Sequence, residues 1–123
     1  IANRDYLIET IALFKDHGIR TSIFVDPDEK MVKGAKATGT DRIELYTESY
    51  ARNFTVNAES AVAPFTQAAK VAAECGLGIN AGHDLSRDNL AFFAAHVPGL
   101  AEVSIGHALV CDALYFGMEN TIM

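Results

Sequence analysis

"GINAGHDLSRDNL", residues 78–90, changes character twice within a few residues. An apolar, strand-like run ends near Asn80, and Gly82-His83-Asp84 follows. Ser86 then stands where a helix cap belongs, ahead of Leu90, Phe93, Ala94 and Val97 at inward-facing helical positions, with the helix running to about His96. "VSIGHALVCDAL", residues 103–114, repeats the arrangement: a short apolar strand, Gly106-His107, then a helical pattern. A strand that turns through Gly-His into a helix is one step of a βα unit. Two such steps in succession predict a parallel sheet covered by helices.

The same alternation extends outward in both directions. Residues 58–75 read as a long helix with Ala61, Phe65, Ala68, Ala72 and Cys75 on one face, ended by Gly76. "GLGINAG" (76–82) is then the third of four strands, after "RTSIFVD" (20–26) and "DRIELYT" (41–47) and before "AEVSIGH" (101–107). Residues 4–17, with Leu7, Ile8, Ile11 and Phe14, predict an opening helix. Residues 28–38 predict a short one, and 108–122 the last. "ESYARNFTVN" (48–57) reads as a polar connection carrying two aromatics. The strands are apolar with small residues interspersed, as expected where both faces are covered. Two architectures fit. One is a flavodoxin-like open sheet, complete at this size. The other is half of a (β/α)₈ TIM barrel, since a barrel takes about 250 residues and this chain has 123. The chain starts without Met, nearly in a helix, and stops inside a helical pattern. A longer protein and the half-barrel are therefore expected.

Half of the residues are hydrophobic, 21% are charged, and the net charge is −6. This is an ordinary globular composition. The negative balance argues against a nucleic-acid partner, which demands clustered Lys and Arg. It does not argue against a small anionic ligand, because local backbone dipoles can outweigh the global charge. No apolar run approaches the roughly 20 residues of a membrane span, and no signal-peptide pattern is present. Cys75 and Cys111 lie in apolar helical patterns and read as core thiols of a cytoplasmic protein rather than a disulfide.

Ligands of parallel βα folds bind at the carboxyl ends of the strands. That rule selects Asp26, Glu44 with Thr47 and Glu48, Asn80 with His83 and Asp84, and His107. His17 and His96 sit at helix C-termini, where a cation suits the dipole and a structural role is expected. His83 and His107 each follow a Gly, which lets backbone pass close to a ligand, and each precedes a helix. Two helix N-termini side by side would make a phosphate-type anion site. Glu44 lies inside a strand, where a carboxylate is costly unless it serves a function or finds a partner. A metal site from His83, Asp84, Asp88 and His107 is the rival chemistry. In the open-sheet alternative, a binding or regulatory module, Asp26 would be the acidic site.

"GINAGHDL" followed by "VSIGHALV" closely resembles the last two strand ends of the pyridoxine 5′-phosphate synthase family of vitamin B6 biosynthesis. "TSIFVDPDEKMVKGAKATGTDRIELYTESYA" looks like its fifth and sixth βα units. The resemblance covers essentially the whole chain. It implies a (β/α)₈ barrel, with residues 1–123 as the C-terminal half of a single domain, from about helix 4 to helix 8 and including strands 5 to 8. It implies a transferase-type, ring-closing condensation of 1-deoxy-D-xylulose 5-phosphate with 3-amino-2-oxopropyl phosphate, which yields pyridoxine 5′-phosphate, inorganic phosphate and water. No metal or organic cofactor is implied, and the assembly would be a homo-octamer. His83 would match the family's proton donor, and Glu44 an active-site glutamate. Gly106 and His107 would bind substrate phosphate. The position after His83 is often Gly in the family and contributes to phosphate binding. Here it is Asp84, which would serve through its backbone N–H with the acidic side chain turned away. The other bases and an arginine-bearing loop belong to the first half of the barrel, so this chain alone is expected to be inactive.

Overall fold

The computed structural model describes residues 3–122. Helix α1 (Arg4–Asp16) leads into four βα steps. These are β1 (Ser22–Val25) with α2 (Glu29–Lys36), β2 (Arg42–Tyr46) with α3 (Glu48–Phe54) and α4 (Ala58–Glu74), β3 (Gly78–Gly82) with α5 (Leu90–His96), and β4 (Leu100–Ser104) with α6 (His107–Phe116) and α7 (Met118–Ile122). All strand pairs are parallel and the spatial order is β1-β2-β3-β4. A flavodoxin-like sheet reverses its strand order at a switch point. Strands taken strictly in sequence are instead consecutive staves of a barrel, so the open-sheet alternative falls and the fold is part of a (β/α)₈ barrel.

The register separates two faces. Ile23, Ile43 and Ile79 share one level and Val25, Leu45 and Ala81 the next. These side chains face the helices, and all except the half-buried Ile23 are buried. The opposite face carries Ser22, Arg42 and Gly78, then Phe24, Glu44, Asn80 and Glu102. It is polar, where an apolar run on both faces was expected. In a barrel this face is the interior.

Helix α4 packs under the sheet through Ala61, Phe65, Ala68 and Ala72, as its periodicity predicts. Asn57 caps it, its side chain accepting from the Ser60 N–H at 2.9 Å. Residues 48–57 depart from the expected polar connection, because α3 forms there. Glu48 and Arg52 pair at 3.4 Å along it, and Tyr50 is wholly buried. The Tyr50 ring lies 6.0 Å from Phe65 and 4.9 Å from Phe93. Burying each ring contributes roughly 1.5–3 kcal/mol, enough to fold a turn of weak intrinsic propensity. Ala94 is exposed, and Phe92 packs on the core instead. The last helix breaks at Gly117, whose φ of 81° no other residue type adopts freely. No described residue of α6 or α7 is buried. Cys111 is accordingly exposed rather than a core thiol, and both cysteines are free.

Candidate active site

An open hollow of about 690 Å³ lies at the carboxyl ends of the strands, lined by Phe24, Glu44, His83, Val103, Ser104, Ile105, Gly106 and His107. Of the residues singled out at the strand ends, Glu44, His83 and His107 therefore face one space. Asp26 is exposed and lies outside it.

The two Gly-His corners are built differently. At Gly82 a Cβ would stand 2.3 Å from the Ser104 carbonyl oxygen and 3.0 Å from the Ser104 nitrogen. This glycine is required by the close approach of β4. The corner is fastened to both neighbours. His83 N–H donates to the Ser104 carbonyl at 2.8 Å, Asp84 N–H to the Gly82 carbonyl at 2.9 Å, and the buried Thr47 hydroxyl donates to the same carbonyl. His83 is held at a φ of 67°. A non-glycine residue there costs roughly 1–3 kcal/mol and marks a position that its surroundings over-determine.

The expected phosphate contact of Asp84 has no free donor, because its N–H is spent on Gly82. Its carboxylate turns to His83, with Oδ1 at 3.3 Å from Nδ1, while Oδ2 is buried without a partner.

The second corner opens directly into a helix. Gly106 is the N-cap of α6, no side chain caps that end, and His107 is its first residue. Nothing lies within 4 Å of a Cβ placed on Gly106. The first amides of α6 are thus aimed at the hollow with the positive end of the helix dipole. The expected pair of helix N-termini is not formed. The seven-residue α5 starts only at Leu90, and the turn before it is closed locally. The Leu90 N–H donates to the Ser86 carbonyl at 2.9 Å, and the Ser86 N–H to Asn89 Oδ1 at 2.8 Å. Ser86 begins this turn rather than the helix itself.

Glu44 lies on the interior face and, among the described residues, has no ion-pair partner within 4 Å. Beside and below it runs a bonded polar network. Arg42 donates to Asn80 Oδ1 at 3.0 Å and pairs with Glu102 at 3.6 Å, and Arg20 pairs with Glu102 at 3.1 Å. Asn80, expected at the mouth, belongs to this network and not to the lining. No cluster of three or more His, Cys, Asp or Glu side chains suited to a metal forms among the described residues. His83, Asp84, Asp88 and His107 are thus not gathered into the rival ligand set. His17 and His96 bond to the carbonyls of Leu13 and Phe92 at 2.9 and 2.8 Å, in keeping with structural roles at helix ends. No helix among the described residues is long and apolar enough to cross a membrane.

Sequence reasoning undervalued Thr47, Asn89 and Ser104, which hold the corner around His83. Asn89 bonds both Ser86 and the Asp84 carbonyl, the latter at 3.3 Å. The Ser-x-x-Asn spacing of a closed turn was the available signal.

The family model described as "Pyridoxal phosphate biosynthesis protein PdxJ" matches residues 1–123. Among curated relatives, the protein named pyridoxine 5′-phosphate synthase of Christiangramia forsetii is 61% identical over 122 residues, which is 99% of this chain and 52% of that protein. Its namesake in Flavobacterium johnsoniae is 57% identical, again over 99% of this chain and 52% of that protein. That of Cytophaga hutchinsonii is 55% identical over 99% of this chain and 51% of that protein. The chain spans about half the length of the curated relatives it matches. With a barrel segment, a hollow at its carboxyl ends and a family model matched from end to end, the chain belongs to the PdxJ family of pyridoxal phosphate biosynthesis proteins.

Proposed function

We propose that the protein carrying this chain is a pyridoxine 5′-phosphate synthase, and that residues 1–123 form the C-terminal half of its single barrel domain. It would condense 1-deoxy-D-xylulose 5-phosphate with 3-amino-2-oxopropyl phosphate. The observation that carries the reading is the shared hollow, with His83 and Glu44 beside the uncapped N-terminus of α6. Imine formation, loss of water and ring closure each move protons near neutral pH, the range in which imidazole exchanges them. His83 is the proton donor, and Glu44 stabilises positive charge or accepts protons across the hollow. Gly106, His107 and the first amides of α6 hold a substrate phosphate, which supplies binding energy remote from the reacting carbons. Asp84 is left out of the phosphate set, since its amide is engaged.

The hollow is open on the side away from these strands, so this chain alone presents part of a site and is expected to be inactive. A cytoplasmic homo-octamer without metal or organic cofactor is the expected state of the whole protein. The test is inorganic phosphate release by the full-length protein supplied with both substrates. Substituting His83→Ala should lower kcat by about 10²–10⁴-fold, and His107→Ala should raise KM for a phosphorylated substrate. Absence of phosphate release in the wild type, or wild-type kcat in the His83 variant, refutes the assignment.

A further inference from the structure

We infer that Asp84 is a positioning residue for His83: its carboxylate accepts the Nδ1–H of the imidazole and leaves Nε2 as the nitrogen that faces the hollow and exchanges the proton. The inference rests on the proposed role of His83 as proton donor. Three observations support it. Asp84 Oδ1 lies 3.3 Å from His83 Nδ1. The Asp84 backbone is pinned on both sides, its N–H donating to Gly82 and its carbonyl accepting from Asn89 Nδ2. The carboxylate is therefore presented to the ring from a fixed backbone. Asp84 Oδ2 is buried and unpartnered, and among the described residues His83 is the one group that bonds the carboxylate.

A carboxylate on Nδ1 fixes both the tautomer and the ring orientation, and it stabilises the imidazolium before the proton leaves. The proton departs from Nε2 and returns there, while Nδ1–H stays bonded to Asp84 throughout. No other bond changes. The positive φ of His83 fits this reading, because the backbone itself aims the ring where Asp84 can reach it.

The test uses full-length protein with Asp84→Asn and Asp84→Ala. Both should lower kcat by about 10–100-fold, the usual effect of removing an outer-shell partner, with KM for both substrates unchanged. ¹⁵N spectra of histidine-labelled protein, with His83 assigned by difference from His83→Gln, should show the neutral wild-type ring protonated on Nδ1. The Asn variant should be protonated on Nε2. Wild-type kcat in both Asp84 variants, or a wild-type His83 already protonated on Nε2, overturns the inference. If His83→Ala is inactive while the Asp84 variants are not, only the positioning role fails. If His83→Ala turns over normally, the proposed role of His83 falls and this one with it.

Discussion

Substituting Gly82→Ala would strike the point where β3, β4 and the His83 corner meet. The added Cβ would lie 2.3 Å from the Ser104 carbonyl oxygen, whereas ordinary contact begins at 3.4 Å. The obstacle is backbone, so no side chain can swing aside. The strands must part by about 1 Å at their carboxyl ends, which stretches the 2.8 Å bond from the His83 N–H to that same oxygen. Overpacking costs about 1–3 kcal/mol and the lost hydrogen bond about 1 kcal/mol. A destabilisation of about 2–4 kcal/mol is expected in urea unfolding of the full-length protein. The same displacement moves the imidazole, and a 1 Å error in a reacting group costs roughly 100-fold in rate. Phosphate release should fall accordingly. Gly106→Ala is the control: with open space around its Cβ, it should change stability by less than about 0.5 kcal/mol. If Gly82→Ala unfolds like the wild type and keeps its turnover, the close approach of Ser104 does not govern this corner.

At His83 itself, glycine should be the better replacement for stability. His83→Gly relieves a left-handed backbone that costs an L-residue roughly 1–2 kcal/mol, so it should unfold about 1 kcal/mol later than His83→Ala while both lose turnover. Equal stability would mean that the φ of 67° is not maintained. Tyr50→Phe removes the hydroxyl that donates to the Asn89 carbonyl at 2.6 Å. That carbonyl keeps the Phe93 N–H at 3.2 Å, so the loss should be only about 1 kcal/mol. Burial pushes the Tyr50 phenol up from 10.0 to about 12. The stability held by the neutral phenol is then complete below pH 10 and lost between pH 10 and 12. The Phe variant has no such loss, so the gap between the two proteins should close over that window. A gap that stays constant would refute the burial argument.

What could be read from the sequence was whatever depended on period and punctuation. Four strands, the long face of α4 and the positions of Glu44, His83 and His107 follow from alternation, from glycines and from the rule that βα folds bind at strand ends. Helix α3 escaped because its apolar stripe is one pair, Tyr50 and Phe54, and its stability comes from Phe65 and Phe93, distant in the chain. The unequal Gly-His corners escaped for a related reason. Gly82 and Gly106 are alike in sequence, but one is pressed by a neighbouring strand and the other by nothing, and pairing across strands has no local signature. The role of Asp84 depended on one backbone N–H finding a carbonyl two residues back, a turn choice that composition does not encode.

The interior face explains why a carboxylate can sit in the middle of β2. Side chains alternate along a strand, so Ile43 and Leu45 go to the helices while Arg42, Glu44 and Tyr46 go to the interior. Each face then answers a separate demand. On the helix side Ile43 and Leu45 are wholly buried, and a charge there would meet the full cost of desolvation. On the interior side Arg42, Asn80, Glu102 and Arg20 satisfy one another. Arg42 lies one interior step below Glu44, and Asn80 and Glu102, which it bonds, lie level with Glu44 on β3 and β4. The charges of this network are paired within it, and among the described residues no cation pairs with Glu44. A strand-borne acid with no ion-pair partner among the described residues is free to pair with charge that arrives from outside, and the imine and imidazolium species of the proposed reaction are cations of that kind. In the proposed reaction a substrate-borne cation would supply the partner that Glu44 lacks among the described residues.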